Sequence, residues 1–232
     1  VEVVHGVADS CKAAGLTLLG GETADMPDVY NAGDFDLAGT IIGVVEKGKH
    51  IDGAKIDAGD VLIGLPSTGL HTNGYSLVRR VLGLKRADND EAVRLLETKL
   101  EGTTISIGQA LLEVHDCYWQ KLARYLPDCK GIAHITGGGI FGNLSRILPP
   151  GLTAVVDRGM WPELPIFPFI QKQGMVSEKE MFSVFNMGIG LILVVAPDRV
   201  EELLDSLSPA YRIGSVQASV GGDIVEFSPS LT

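Results

Sequence analysis

The sequence predicts an α+β fold built from layered helices and strands, and not a doubly wound parallel sheet. Helical and strand periods alternate along the chain without a strict βαβ order. Short apolar runs, Val61 to Leu65 and Leu191 to Val195, have the length of buried strands. The last part is a compact β-α-β-β pattern: Leu191 to Val195, a helix opened by Pro197, then Tyr211 to Gln217 and Asp223 to Phe227.

In chain order, Val3, Val4, Val7, Ala8, Cys11 and Ala14 recur at helical spacing, and Gly15 supplies the stop. Leu16 to Leu19 reads as a strand running into Gly20-Gly21, with Glu22 and Asp25 in the acidic loop beyond. Phe35 to Glu46 reads as a long β-branched strand, with Gly39 and Gly43 as bulge positions. The polar segment Asp52 to Asp60 reads as a linker between two units.

The strand Val61 to Leu65 ends at Pro66, and Ser67 to Gly74 is a loop without an apolar pattern. A helix begins near Tyr75 and buries Leu77, Val78, Val81 and Leu82. Asp88 to Glu97 and Ile107 to Tyr125 read as amphipathic helices with Leu95, Leu96, Leu111, Leu112, Tyr118, Leu122 and Tyr125 inward. Trp119 and the Phe182/Phe185 pair read as core. Gly131 to Ile135 is a strand, Phe141 to Leu148 a helix stopped by Pro149-Pro150, and Leu152 to Asp157 a strand. Phe167 and Ile170 mark a short helix, and Ser177 with Glu180 forms a capping-box signal for the next.

At 232 residues, 45% of them hydrophobic and 21% charged, the chain has the composition of an ordinary globular protein able to bury a core. A formal charge of −10 argues against nucleic acid or an anionic membrane as the main partner. It leaves room for an anionic small ligand, because backbone N–H groups bind phosphate without net positive charge. Cys11, Cys117 and Cys129 are odd in number and widely spaced, which favours reduced thiols in a cytoplasmic protein. No run reaches membrane-spanning length, and no histidine–cysteine spacing fits zinc. The first residue is valine and the pattern starts inside a helix, as expected for part of a longer protein.

Two strand-to-helix loops combine histidine with glycine. In Thr68-Gly69-Leu70-His71-Thr72-Asn73, His71 is placed to donate to a phosphoryl oxygen or shuttle a proton near neutral pH. In His134-Ile135-Thr136-Gly137-Gly138-Gly139, three consecutive glycines are expensive in chain entropy, and an anion cradled by their N–H groups is the natural reason for them. Taken alone, Gly20-Gly21-Glu22 reads as a glycine turn with a solvated acidic loop, although its carboxylates suit a hard cation. His5, His50 and His115 read as residues without a chemical role.

Together these stretches resemble the phosphoribosylformylglycinamidine cyclo-ligase (aminoimidazole ribonucleotide synthetase) family. The matching segments are Leu18 to Pro27 (LLGGETADMP), Gly69 to Arg79 (GLHTNGYSLVR), Ile132 to Gly139 (IAHITGGG) and Phe185 to Gly190 (FNMGIG). The resemblance implies the C-terminal remnant of an ATP-binding and dimerisation domain over residues 1–55, followed at 56–232 by a layered α/β domain with a mixed sheet. It implies a cytoplasmic homodimer using ATP and Mg²⁺ to close the ring of a phosphorylated ribonucleotide. Glu22 and Asp25 would hold the metal, with Gly20, Gly21 and Glu22 on the nucleotide side. His71 and His134 would be catalytic, and Thr68, Gly69, Asn73, Thr136, Gly137, Gly138 and Gly139 would bind substrate. On this reading Glu22 edges a nucleotide site shared between two domains, and the family's glycine-rich ATP region would lie before Val1.

The chain departs from the family pattern at Val114-His115-Asp116-Cys117-Tyr118, where Pro-Thr-Arg-Ile-Tyr is usual, at Met187 for cysteine and at Asp25 for glutamate. The change of arginine to Asp116 reverses a charge and leaves a second reading, a related ATP-dependent small-molecule kinase or synthetase, while the ATP region expected before Val1 leaves a third, a non-catalytic dimerising module.

Overall fold

The computed structural model describes residues 1–84 and 90–228, in two compact units, Val1–His50 and Ile51–Thr232. In the first unit the predicted helix forms as α1 (Glu2–Ala14), and Gly15 ends it in the left-handed region at φ 71°, donating to the carbonyls of Cys11 and Lys12. The predicted strands at Leu16 to Leu19 and Phe35 to Glu46 do not form. A strand needs a neighbour for its N–H and C=O groups, and this unit provides none, so Phe35, Ile41 and Ile42 stay exposed. Gly39 and Gly43 therefore interrupt no ladder.

The second unit is built on one six-stranded mixed sheet. Its strands are β1 (Val61–Pro66), β2 (Cys129–His134), β3 (Leu152–Val156), β4 (Ile189–Val195), β5 (Tyr211–Ala218) and β6 (Val225–Phe227), in the order β2-β4-β1-β5-β3-β6. All neighbours are antiparallel except β3 and β6. Both faces of the central strands are covered, which is why β1 and β4 read as unbroken apolar runs. Along β1, Leu62 packs with Ile192, Val194 and Ile213 on one face. Val61, Ile63 and Leu65 pack with Leu193, Leu203 and Leu207 on the other.

A third apolar cluster lies among helices. It gathers Leu77 and Val78 from α2 (Tyr75–Val81), Ala110 and Leu111 from α4 (Ile107–Leu111), Phe167 and Ile170 from α7 (Ile166–Gly174), and Met181 and Phe182 from α8 (Glu178–Val184). The helix predicted from Asp88 is α3 (Asp90–Glu97), and its first two predicted residues lie outside the described ones.

Two expectations are corrected here. Asp52 to Asp60 is not a free linker, because Ile56 is in the core and Asp60, only 3% exposed, binds Lys130 Nζ through both oxygens at 2.7 and 2.9 Å. The long helix predicted from Ile107 to Tyr125 is broken: α4 stops at Leu111, and α5 (Trp119–Leu122) runs into a 3₁₀ turn, Ala123–Asp128. Leu112 and Trp119, both expected inside, are exposed. The intervening residues bind the loop after β1: Thr68 Oγ1 donates to the Val114 carbonyl at 2.6 Å, and Tyr118 Oη to that of Pro66 at 2.8 Å. Tertiary hydrogen bonds here override helical periodicity.

Candidate functional site

Strand direction assembles the site. β1 and β2 both run antiparallel to β4, which lies between them, so their C-terminal ends share one edge with the start of β4. The loops Ser67 to Gly74, Ile135 to Gly138 and Phe185 to Gly188 therefore meet, although the sequence separates them widely. Two asparagines join them, and a third braces the glycine turn.

Asn186, 1% exposed, accepts the Ser67 hydroxyl at 2.8 Å and the Gly188 N–H at 2.9 Å, and donates to the Gly69 carbonyl at 2.8 Å. Asn73 donates to the His71 carbonyl at 2.8 Å and accepts the Gly137 N–H at 3.1 Å, tying the first histidine loop to the glycine turn. Asn143, on α6 (Gly139–Leu144), donates to the carbonyls of Thr136 and Gly139 at 3.2 and 2.8 Å and accepts from Thr136 Oγ1 at 3.2 Å. Sequence reasoning missed Asn143, and it quoted Asn186 only within the Phe185 to Gly190 motif. Lone asparagines carry no spacing signal.

The glycine turn has a structural reason. A Cβ on Gly139, whose φ is +61°, would lie 1.7 Å from the Phe182 carbonyl oxygen. The expected anion cradle is corrected, because the three N–H groups are already committed: Gly137 to Asn73, Gly138 to the Ser183 carbonyl at 3.1 Å and Gly139 to the Thr136 carbonyl at 3.0 Å.

Three imidazoles converge at the same sheet edge. His71 and His115 stack with centroids 3.9 Å apart and planes 14° from parallel. His115 Nε2 lies 3.4 Å from His134 Nε2. Gly190 of β4 leaves room for the first of these rings, since a Cβ there would be 2.0 Å from Tyr118 Oη and 2.8 Å from His71 Cε1. His115, read from the sequence as having no role, is the middle member. The signal that bears on it is the departure of Val114 to Tyr118 from the family pattern.

His71 is 1% exposed and adopts a positive φ of 52°. The Thr68 N–H donates to its Nε2 at 2.9 Å, which places the ring proton on Nδ1, buried and without a partner. Burial first, then the charges of His115 and His134, push its pKa down to about 4. His71 is thus a neutral, enclosed ring. Burial also lowers the pKa of His115 and His134, and of the three only His134 is exposed.

This gives a pH prediction with a definite sign. Between the ordinary value of 6.5 and about 4, unfolded His71 binds a proton that the folded protein excludes. Stability from this group is complete above that window and is lost as pH falls through it, by about 3 kcal/mol. Denaturant unfolding at pH 7 and pH 4.5 should show the loss, and His71→Asn, which tolerates positive φ, should flatten it. An equal loss in the variant would assign the effect to other groups.

Of the predicted site residues, Thr68, Gly69, His71, Asn73, His134, Thr136, Gly137, Gly138 and Gly139 come together in the second unit. Gly20, Gly21, Glu22 and Asp25 are exposed residues of the first. Among the described residues no three His, Cys, Asp or Glu side chains are grouped so as to hold a metal ion. A cleft of about 650 Å³ is walled by Gly138, Phe141, Arg158, Lys179, Phe182 and Phe227, and none of the clustered histidines lines it.

Comparison with known proteins gives the class first. The arrangement is similar to that of the E. coli hydrogenase maturation protein HypE, with a TM-score of 0.52 and 18% identity over 82% of this chain and 52% of that one, a likeness of fold alone. Residues 57–225 match the model for the C-terminal domain of AIR synthase related proteins, and residues 1–45 match that for the N-terminal domain. The chain is 48% identical to the phosphoribosylformylglycinamidine cyclo-ligase of Geobacillus kaustophilus over 94% of its length, and 44% identical to that of Caldicellulosiruptor saccharolyticus over 96%. It spans 63% and 66% of those two relatives. The chain belongs to the AIR synthase related family, on the phosphoribosylformylglycinamidine cyclo-ligase branch.

Proposed function

We propose that this chain is the larger part of an ATP-dependent cyclo-ligase that closes the imidazole ring of formylglycinamidine ribonucleotide in purine biosynthesis, working as a cytoplasmic homodimer. The observation that supports this most is convergence: Gly69 to Arg79, Ile132 to Gly139 and Phe185 to Gly190 meet at one sheet edge through Asn73 and Asn186. Among the described residues no helix is long and apolar enough to cross a membrane.

In the proposed reaction the formamide oxygen takes the γ-phosphoryl group of ATP, with cleavage of the bond to the β-phosphate. A nitrogen of the amidine then attacks the activated carbon. The new C–N bond forms as the C–O bond to phosphate breaks, and the nitrogen loses a proton. His134, the accessible ring, is the proposed proton acceptor. His71 fixes the stack from behind His115 and is a positioning residue. Thr68, Gly69, Asn73, Thr136 and Gly137 to Gly139 shape the substrate side, holding phosphate through atoms other than the glycine N–H groups already in use.

Glu22 and Asp25 fit Mg²⁺ by donor chemistry, since this ion takes one or two carboxylates and completes its shell with phosphate and water oxygens. Bound there, it would offset charge on the transferring phosphoryl. Gly20 and Gly21 have open space where a Cβ would go, which suits close approach of a nucleotide.

The test is product formation by the complete enzyme with ATP, Mg²⁺ and formylglycinamidine ribonucleotide. Aminoimidazole ribonucleotide together with equimolar ADP and phosphate is expected. ATP-dependent turnover of thiamine phosphate instead, or no turnover of either compound, would overturn the assignment.

A further inference from the structure

His115 stands where threonine is usual in the family pattern, and it touches the proposed proton acceptor. Its Nε2 lies 3.4 Å from Nε2 of His134, within hydrogen-bonding reach, with ring centroids 5.3 Å apart and planes tilted by 37°. On its other side His115 stacks on His71 with centroids 3.9 Å apart, and the Thr68 N–H fixes His71 in turn. The middle ring is therefore held in place before any proton moves.

The direction of the bond between the two rings follows from their charge. A neutral imidazole has one N–H and one lone pair, whereas a protonated one has two N–H groups. Once His134 has gained a proton its Nε2 can only donate, so Nε2 of His115 must accept. Given the ring closure proposed above, on which this role depends, we infer that His115 is a positioning residue. It accepts the Nε2–H of His134 and so leaves Nδ1 of His134 with the lone pair that takes the proton. In that step the N–H bond of the attacking nitrogen breaks and a new N–H bond forms at His134 Nδ1. The bond to His115 strengthens as its donor becomes charged. The proton then leaves for water from His134, the exposed ring of the three.

The pair carries one proton and not two, because like charges this close disfavour each other. Around it, His71 is neutral, burial holds the Tyr118 phenol in its protonated form, and Asp116 is engaged with Lys121 Nζ at 3.0 Å.

The test combines kinetics and histidine nitrogen resonances in the complete enzyme. His115→Phe keeps a ring for the stack and removes the acceptor, whereas His115→Gln keeps an acceptor. His115→Phe should lower kcat about tenfold with KM changed less than about twofold, and His115→Gln should recover most of the loss. The acid limb of the kcat profile should move about one pH unit lower in His115→Phe, since charged His134 has lost its acceptor. Should the phenylalanine variant fold poorly, His115→Thr, which is shorter than the ring, is expected to give the same readings. In the parent, His134 should carry its proton on Nε2 at neutral pH. An unmoved profile in a variant that still closes the ring, or a His134 proton on Nδ1, would overturn the role of His115 and leave the cyclo-ligase reading standing. Absence of ring closure in the parent would sink that reading, and the catalytic use of the pair with it.

Discussion

Gly139→Ala is expected to lower stability by about 2–4 kcal/mol and to disorganise the histidine loops. The added methyl would lie 1.7 Å from the backbone oxygen of Phe182, so no side-chain rotation relieves the clash and α8 must move. Overpacking of this kind costs about 1–3 kcal/mol, and placing a non-glycine residue at φ +61° adds about 1 kcal/mol. The displacement carries Ser183 with it, whose carbonyl accepts the Gly138 N–H. The denaturant midpoint should fall sharply, while Gly142→Ala, on the same helix with nothing within 4 Å of the new methyl, should be neutral or mildly stabilising. Equal effects at the two positions would mean that close packing is not why the turn is glycine.

Asn186→Ala should cost about 3–5 kcal/mol. The substitution strands the Ser67 hydroxyl, the Gly69 carbonyl and the Gly188 N–H in a buried place at once. An orphaned buried polar group costs about 1–3 kcal/mol, and networks exceed the sum of pairs only when intact. Asn186→Asp keeps the acceptor side but turns the donor into a carboxylate oxygen facing the buried Gly69 carbonyl, so at neutral pH it should recover little of the loss. Thermal unfolding of both variants checks this, and an alanine variant as stable as the parent would remove Asn186 as the clamp between β1 and β4.

These two residues show what could be read from the chain and what could not. β1 and β4 were legible because strands covered on both faces leave continuous apolar runs. The glycine turn was legible as a constraint, but its cause was not. Whether a glycine spares room for a ligand or for the Phe182 carbonyl depends on a helix forty residues later. The break between α4 and α5 was hidden because the periodicity of Leu111, Leu112 and Leu122 is locally sound, and bonds from Thr68 and Tyr118 defeat it. Phe35 to Glu46 has strand chemistry and no neighbour in this unit to pair with. His115 looked inert because its meaning lies in contacts with rings at positions 71 and 134.

The central claim is that these loops, with His134 accessible and His71 behind it, form the chemical edge of a cyclo-ligase. Single-turnover ring closure by the complete enzyme tests it most directly, comparing His71→Ala, His134→Ala and the double variant at saturating ATP and substrate. The account predicts a loss in rate of about a hundredfold or more for His134→Ala, in the usual range for removal of a proton-transfer group. It predicts a double variant little worse than that single one, because the rings act as a unit. Full activity in the double variant would contradict it.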